Sequence, residues 1–325
     1  MKIMKRGLKI VGFGILGIII LIVLVVGFLL IKNYIDSQKP WLENDYYTQF
    51  QSDSELEKKY AGLGNYEISS KIVKSEDKTI GNIRIWYPSE MENKQAKYPL
   101  IVVTNASNMA ALNYEPYFER LASWGFVVVG NDDRQAGTGI STSQTLDYIL
   151  EQNQNSDSVF YGKIDTQNIG ITGYSQGGAG AIRAVTEYDN SSQYKTIFTG
   201  SAAYAYIAQM WGGYDASKVS IPWFMTGGTG TSDSKEVSDV TKEMAGIAPL
   251  SSLVENYNAA SDNVFKLRAR VVGAEHEEMQ IKTDGYMTAW MLYQLQGDEE
   301  AGKALIGENA EILNNANWQD IEKNN

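Results

Sequence analysis

Ser175 lies in Gly173-Tyr-Ser-Gln-Gly177, and the single histidine of the 325 residues, His276, follows well downstream. A serine hydroxyl becomes a nucleophile when a base takes its proton, and a histidine serves as that base when an acid fixes its tautomer. Between the two runs Trp223-Phe-Met-Thr-Gly-Gly-Thr-Gly-Thr-Ser-Asp233, whose Asp233 is the carboxylate nearest a strand end. Asp239 stands in reserve, and Asp132 and Asp133 on an earlier loop are more distant candidates. There is no cysteine, which excludes disulfides, thiolate metal sites and a cysteine nucleophile.

Gly-x-Ser-x-Gly by itself is weak in a chain with 30 glycines, so the flanking elements must decide. Ile169-Gly-Ile-Thr172 reads as a short strand and Gly177-Gly-Ala-Gly-Ala181 as the start of a helix with a small-residue face. A serine between such a strand and helix stands at the sheet's carboxyl edge, on a turn too tight for side chains two residues away. Ile68–Val73 and Ile80–Trp86 alternate apolar and polar residues, as half-buried antiparallel strands do. Leu100–Val103 and Phe126–Val129 are continuously apolar, the mark of parallel strands covered on both faces. Strands at Thr196–Thr199, Ile221–Thr226 and Phe265–Val272 follow, interleaved with helices near Tyr114–Trp124, Gln144–Glu151, Gly177–Tyr188 and Tyr286–Gln296. The pattern predicts an α/β fold, a mostly parallel central sheet with helices on both faces. It puts Asp233 and His276 on carboxyl-end loops, in the chain order Ser, acid, His. Two backbone N–H groups are needed to hold an oxyanion: that of Gln176, and one from Thr104-Asn-Ala-Ser-Asn108, either Ala106 or Ser107.

The 22 residues from Ile10 to Ile31 are uncharged and mostly aliphatic, which at about 1.5 Å per residue spans a bilayer core. No small-residue cleavage site follows, so the run is expected to be an uncleaved anchor. Lys2, Lys5, Arg6 and Lys9 precede it and keep the N-terminus cytoplasmic, with the remainder outside the cell membrane. Of 28 basic residues, those four and Lys32 flank the run, leaving 23 against 39 acidic ones. So acidic a surface repels phosphate backbones, and no nucleic-acid partner is expected. The predicted organisation is a cytoplasmic tip and transmembrane anchor over 1–32, a polar spacer with one short helix at most over 33–62, and a catalytic domain over 63–325.

With these pieces placed, the chain resembles the α/β-hydrolase superfamily, in particular its dienelactone-hydrolase-like and cutinase-like (polyester hydrolase) esterases. The resemblance covers about residues 60–321. It is carried by Leu63-Gly-Asn-Tyr-Glu-Ile, Tyr98-Pro-Leu-Ile-Val-Val, Leu121-Ala-Ser-Trp-Gly-Phe-Val-Val-Val, Ala136-Gly-Thr-Gly, Phe160-Tyr-Gly-Lys-Ile-Asp-Thr, Ile171-Thr-Gly-Tyr-Ser-Gln-Gly-Gly, Gly273-Ala-Glu-His and Thr288-Ala-Trp-Met-Leu-Tyr-Gln-Leu-Gln-Gly-Asp. It implies Ser175 as nucleophile, His276 as base, Asp233 as acid, and Gln176 with residues 105–107 as oxyanion hole. Trp211, Tyr174 and Asn105 are expected at the substrate. Asn105-Ala106 stands where relatives usually have His-Gly or Pro-Gly, Tyr174 where they often have His or Trp, and Thr231 where they place the acid. The expected activity is cleavage of carboxylic esters, small-molecule, lipid or polyester in type, with no metal or organic cofactor. Acyl transfer or amide cleavage would use the same residues, and an inactive binding protein would keep the same fold. Glu275, Glu277 and Glu278 around the base are read as solvated.

Overall fold

The computed structural model describes residues 2–37, 39–235, 237 and 244–324, and the chain divides into two units that meet in sequence between Trp41 and Leu42. The first contains the helix Lys2–Ser37 (α1), within which Ile18–Asp36 has a mean hydropathy of 2.7 and is long and apolar enough to cross a membrane.

In the second unit, nine strands among the described residues make one sheet. They are β1 (Ile68–Lys74), β2 (Asn82–Pro88), β3 (Tyr98–Thr104), β4 (Val127–Asn131), β5 (Ile164–Tyr174), β6 (Thr196–Gly200), β7 (Trp223–Gly228), β8 (Lys266–Val271) and β9 (Trp318–Lys323). Their order is β1-β2-β4-β3-β5-β6-β7-β8-β9. The six from β4 to β8 run parallel, while β1 and β2 at one edge and β9 at the other are antiparallel. This is the α/β-hydrolase fold. After β3 the chain adds β4 on one side, then returns to place β5 on the other. Such a reversal opens a crevice at the strands' carboxyl ends, and Ser175 follows β5 there.

Continuous apolar runs in β3 and β4 feed both faces, because neighbouring side chains point opposite ways. Ile101, Val103 and Val128 pack in a core with Tyr117, Phe118 and Leu121 of α3 (Glu115–Ala122) and with Trp290 of the helix Asp284–Met291. Leu100, Val102, Val127 and Val129 pack opposite, with Leu146 and Ile149 of α4 (Ile140–Gln154) and Ala181 and Ile182 of α5 (Gln176–Ala184).

The expected 33–62 spacer requires correction. Leu42, Tyr46 and Tyr60 are buried in the first of these cores, and Glu55–Ala61 forms α2. Adding a Cβ to Gly285 would bring it 2.3 Å from the Glu57 carbonyl oxygen, a measure of how closely α2 lies on the helix Asp284–Met291. Polar residues here are spent inward: the Trp318 indole N–H (2.5 Å) and the Asn315 amide (2.7 Å) donate to Glu57, and Tyr46 Oη donates to Asp284 (2.5 Å). Arg120, fully buried, reaches Tyr46 Oη, the Tyr60 carbonyl and Asp284. Burial raises the Glu57 carboxyl above its ordinary value, against these donors. The compact unit that holds the sheet therefore begins at Leu42.

Candidate active site

Ser175 is the single residue between β5 and α5, with φ 59° and ψ −123°. A side-chain-bearing residue holds this conformation only when its surroundings fix it. They do so by contact. A Cβ on Gly173 would meet the Gly177 carbonyl oxygen at 2.1 Å, one on Gly177 the Thr104 carbonyl oxygen at 2.2 Å, and one on Gly178 the Ala202 Cβ at 2.6 Å. The Ser175 N–H donates to the Gly200 carbonyl (3.0 Å), and its own carbonyl accepts from Gly178 and Ala203 (3.0 Å each).

The structure brings Ser175, His276 and Asp233 together. His276 Nε2 lies 2.9 Å from Ser175 Oγ, and Nδ1 lies 2.8 Å from Asp233 Oδ1. The imidazole is mostly covered and the carboxylate completely so, at 13 and 0 % exposure. Asp233 Oδ2 accepts from Ser201 Oγ at 2.6 Å and from the Gly228 N–H. Gly246 leaves no room for a side chain against the Asp233 backbone, where a Cβ would sit 2.5 Å from its carbonyl carbon. The other candidate acids are engaged elsewhere: Asp132 binds Arg84 (2.8 Å), and Asp133 accepts from Ser141 Oγ (2.6 Å). Asp239 lies outside the described residues.

Tyr174, expected at the substrate, stacks on the imidazole ring, and its hydroxyl donates to the His276 carbonyl. Burial, with the Asp233 charge adding, pushes the Tyr174 phenol well above its ordinary value, so it remains a donor. Glu275 stays in reach of solvent, as expected, but is also bound to the neighbouring loop. Its carboxylate accepts from Ser232 Oγ (2.5 Å), Ser232 N (2.8 Å) and Thr231 N (3.2 Å), while Ser232 Oγ accepts from the His276 N–H (2.8 Å). Those donors, Ser232 first, hold Glu275 below the usual carboxylate range. The Asp233 loop and the His276 loop are thus pinned to each other beside the pair they carry.

The α5 start and the β3 loop abut at Ser175, as the Gly177–Thr104 contact requires. The backbone N–H groups of Gln176 and Ser107 meet no backbone acceptor among the described residues, whereas that of Ala106 faces the Tyr114 hydroxyl; Ala106 is buried and Ser107 exposed. Asn105 departs from expectation. Its side chain, 1 % exposed, donates to the Asn131 and Asp133 carbonyls (2.7 Å each) and accepts from Tyr114 Oη (2.5 Å), so it anchors the loop rather than facing substrate. Trp211 lies over Gly137 beside Gln176: a Cβ on Gly137 would come within 2.6 Å of the indole and 2.8 Å of Gln176 Cγ. Tyr206 and Met210, 47 and 71 % exposed, add apolar surface in the same β6–β7 connection. Among the described residues no group of three or more His, Asp or Glu side chains could hold a metal ion.

Ser201, Ser232 and the bridging role of Glu275 were not legible in the sequence. Their only signals are adjacency: Ser201 directly follows a strand end, and Ser232 and Glu275 each precede a site residue. A family model described as PETase, PET hydrolase-like, matches residues 49–199, which span β1 to β6 and include Ser175. No curated protein matches the chain.

Proposed function

We propose that this chain, similar to the PET hydrolase-like family over residues 49–199, cleaves carboxylic esters through Ser175, His276 and Asp233. The observation that carries the reading is the unbroken contact from Asp233 Oδ1 through both imidazole nitrogens to Ser175 Oγ, at 2.8 and 2.9 Å, on a strained elbow.

In the reaction His276 Nε2 takes the Ser175 proton as Oγ bonds to the ester carbonyl carbon. The carbonyl electron pair moves to oxygen, where the N–H groups of Gln176 and of Ala106 or Ser107 receive it. Asp233 keeps the other imidazole proton on Nδ1 and stabilises the imidazolium. The imidazolium then protonates the departing alcohol, leaving an acyl-serine. A water molecule, giving its proton to Nε2, releases the acid and restores the hydroxyl. Trp211, with Tyr206 and Met210, supplies apolar surface for the acyl or alcohol part.

The helix α1 supports a single-pass anchor, and the basic residues before it favour a cytoplasmic N-terminus with the hydrolase outside. Ester substrates at the cell surface follow from that placement, including lipids and polyesters. Hydrolysis of p-nitrophenyl esters from acetate to palmitate by the full chain in detergent tests the reading, with an anilide series beside it. Ester turnover lost in Asp233→Asn by roughly 10³- to 10⁴-fold is expected. Turnover of anilides alone would reassign the activity to amide cleavage.

A further inference from the structure

Strands β5 and β6 end alike. Their last register pair is Tyr174 with Gly200, and the next residue on each is a serine with positive φ, Ser175 at 59° and Ser201 at 44°. The elbow accounts for the first. The second lies in no Gly-x-Ser-x-Gly motif, yet it is fully buried and holds a backbone conformation that L side chains rarely adopt. Such strain persists where neighbouring contacts impose it.

Those contacts run to both ends of the proposed site. The Ser201 N–H donates to the Thr226 carbonyl (2.9 Å), and its hydroxyl donates to Asp233 Oδ2 (2.6 Å). On either side of it, the Gly200 carbonyl accepts from the Ser175 N–H and the Ala203 N–H donates to the Ser175 carbonyl. Ala202 closes against Gly178. One turn of four residues therefore grips the Ser175 backbone by two hydrogen bonds and the Asp233 carboxylate by one.

A buried carboxylate can rotate about its Cβ–Cγ bond, and a single donor acts only as a pivot. On Asp233 the Gly228 N–H and the Ser201 hydroxyl both fall on Oδ2, which fixes the plane and leaves Oδ1 directed at His276 Nδ1. We propose that Ser201 is a positioning residue of this hydrolase: its hydroxyl orients the acid, and its left-handed backbone sets the acid and the nucleophile from one turn. The inference rests on the serine-hydrolase reading above.

Two variants of the full chain test it. Ser201→Ala removes the hydroxyl and keeps the strain, whereas Ser201→Gly removes both, so a fold weakened in the first is relieved in the second. Both are expected to lower kcat on p-nitrophenyl acetate by roughly 10- to 100-fold with KM little changed, the cost of a misplaced catalytic group. Because the chain has one histidine, a far-downfield Nδ1–H proton resonance belongs to His276. That resonance is expected in the wild type and is expected to shift or broaden away in both variants. Wild-type kcat and an unmoved resonance in Ser201→Gly would overturn the proposal. A wild-type chain with the resonance but no ester turnover would instead overturn the hydrolase reading, and the resonance in the two variants would still decide what Ser201 does.

Discussion

The ring of Tyr174 lies against the imidazole of His276, 4.8 Å between centroids and 22° between planes, and its hydroxyl donates to the His276 carbonyl at 2.5 Å. Tyr174 thus holds His276 by face and by backbone. Tyr174→Phe keeps the stacking and loses a hydrogen bond worth about 1 kcal/mol, so kcat should fall about fivefold. Tyr174→Ala loses both and should fall further. Equal kcat values for the two variants would place the whole effect in the hydroxyl.

Glu275 joins the Asp233 loop to the His276 loop, and its folded carboxyl sits below its ordinary value of 4.5. A group shifted down stabilises the fold above its unfolded pKa, and the contribution is lost as pH falls through the folded value. Glu275→Gln should therefore lower the thermal midpoint at pH 7. The gap from wild type should close as the pH is taken below 4.5. A gap unchanged across that range would show that the charge plays no part in the clamp.

Residues 42–62 carry much of a core. Removing them exposes the pocket for Leu42, Tyr46 and Tyr60, each worth about 1.5–3 kcal/mol, against a whole-domain stability of about 5–15 kcal/mol. It also strips partners from Arg120, Asn315 and Trp318. A chain beginning at Leu63 should yield no cooperative unfolding transition by circular dichroism, and one beginning at Leu42 should unfold cooperatively.

That boundary illustrates what the sequence could not convey. The parallel strands were legible because Leu100–Val103 and Phe126–Val129 are covered on both faces and so are apolar throughout. Ser52–Lys59 looks like a solvated spacer because it is charged, but Glu57 is buried with partners from Asn315 and Trp318, more than 250 residues away. β9 has no legible pattern for a similar reason: Trp-Gln-Asp-Ile-Glu-Lys is an edge strand with one partner, β8, and Trp318 alone is buried. The order of Ser175, Asp233 and His276 could be read from which strand each one follows. Ser201 and Glu275 act across loops, and nothing in their local sequence marks that.

The central claim is that Ser175 is a nucleophile activated by His276, and the most direct measurement is covalent labelling of the full chain with a fluorophosphonate probe, read by peptide mass. The account predicts one adduct on Ser175, lost in Ser175→Ala and reduced by orders of magnitude in His276→Ala. A well-folded chain that takes no label, or one that labels equally well without the imidazole, would contradict it.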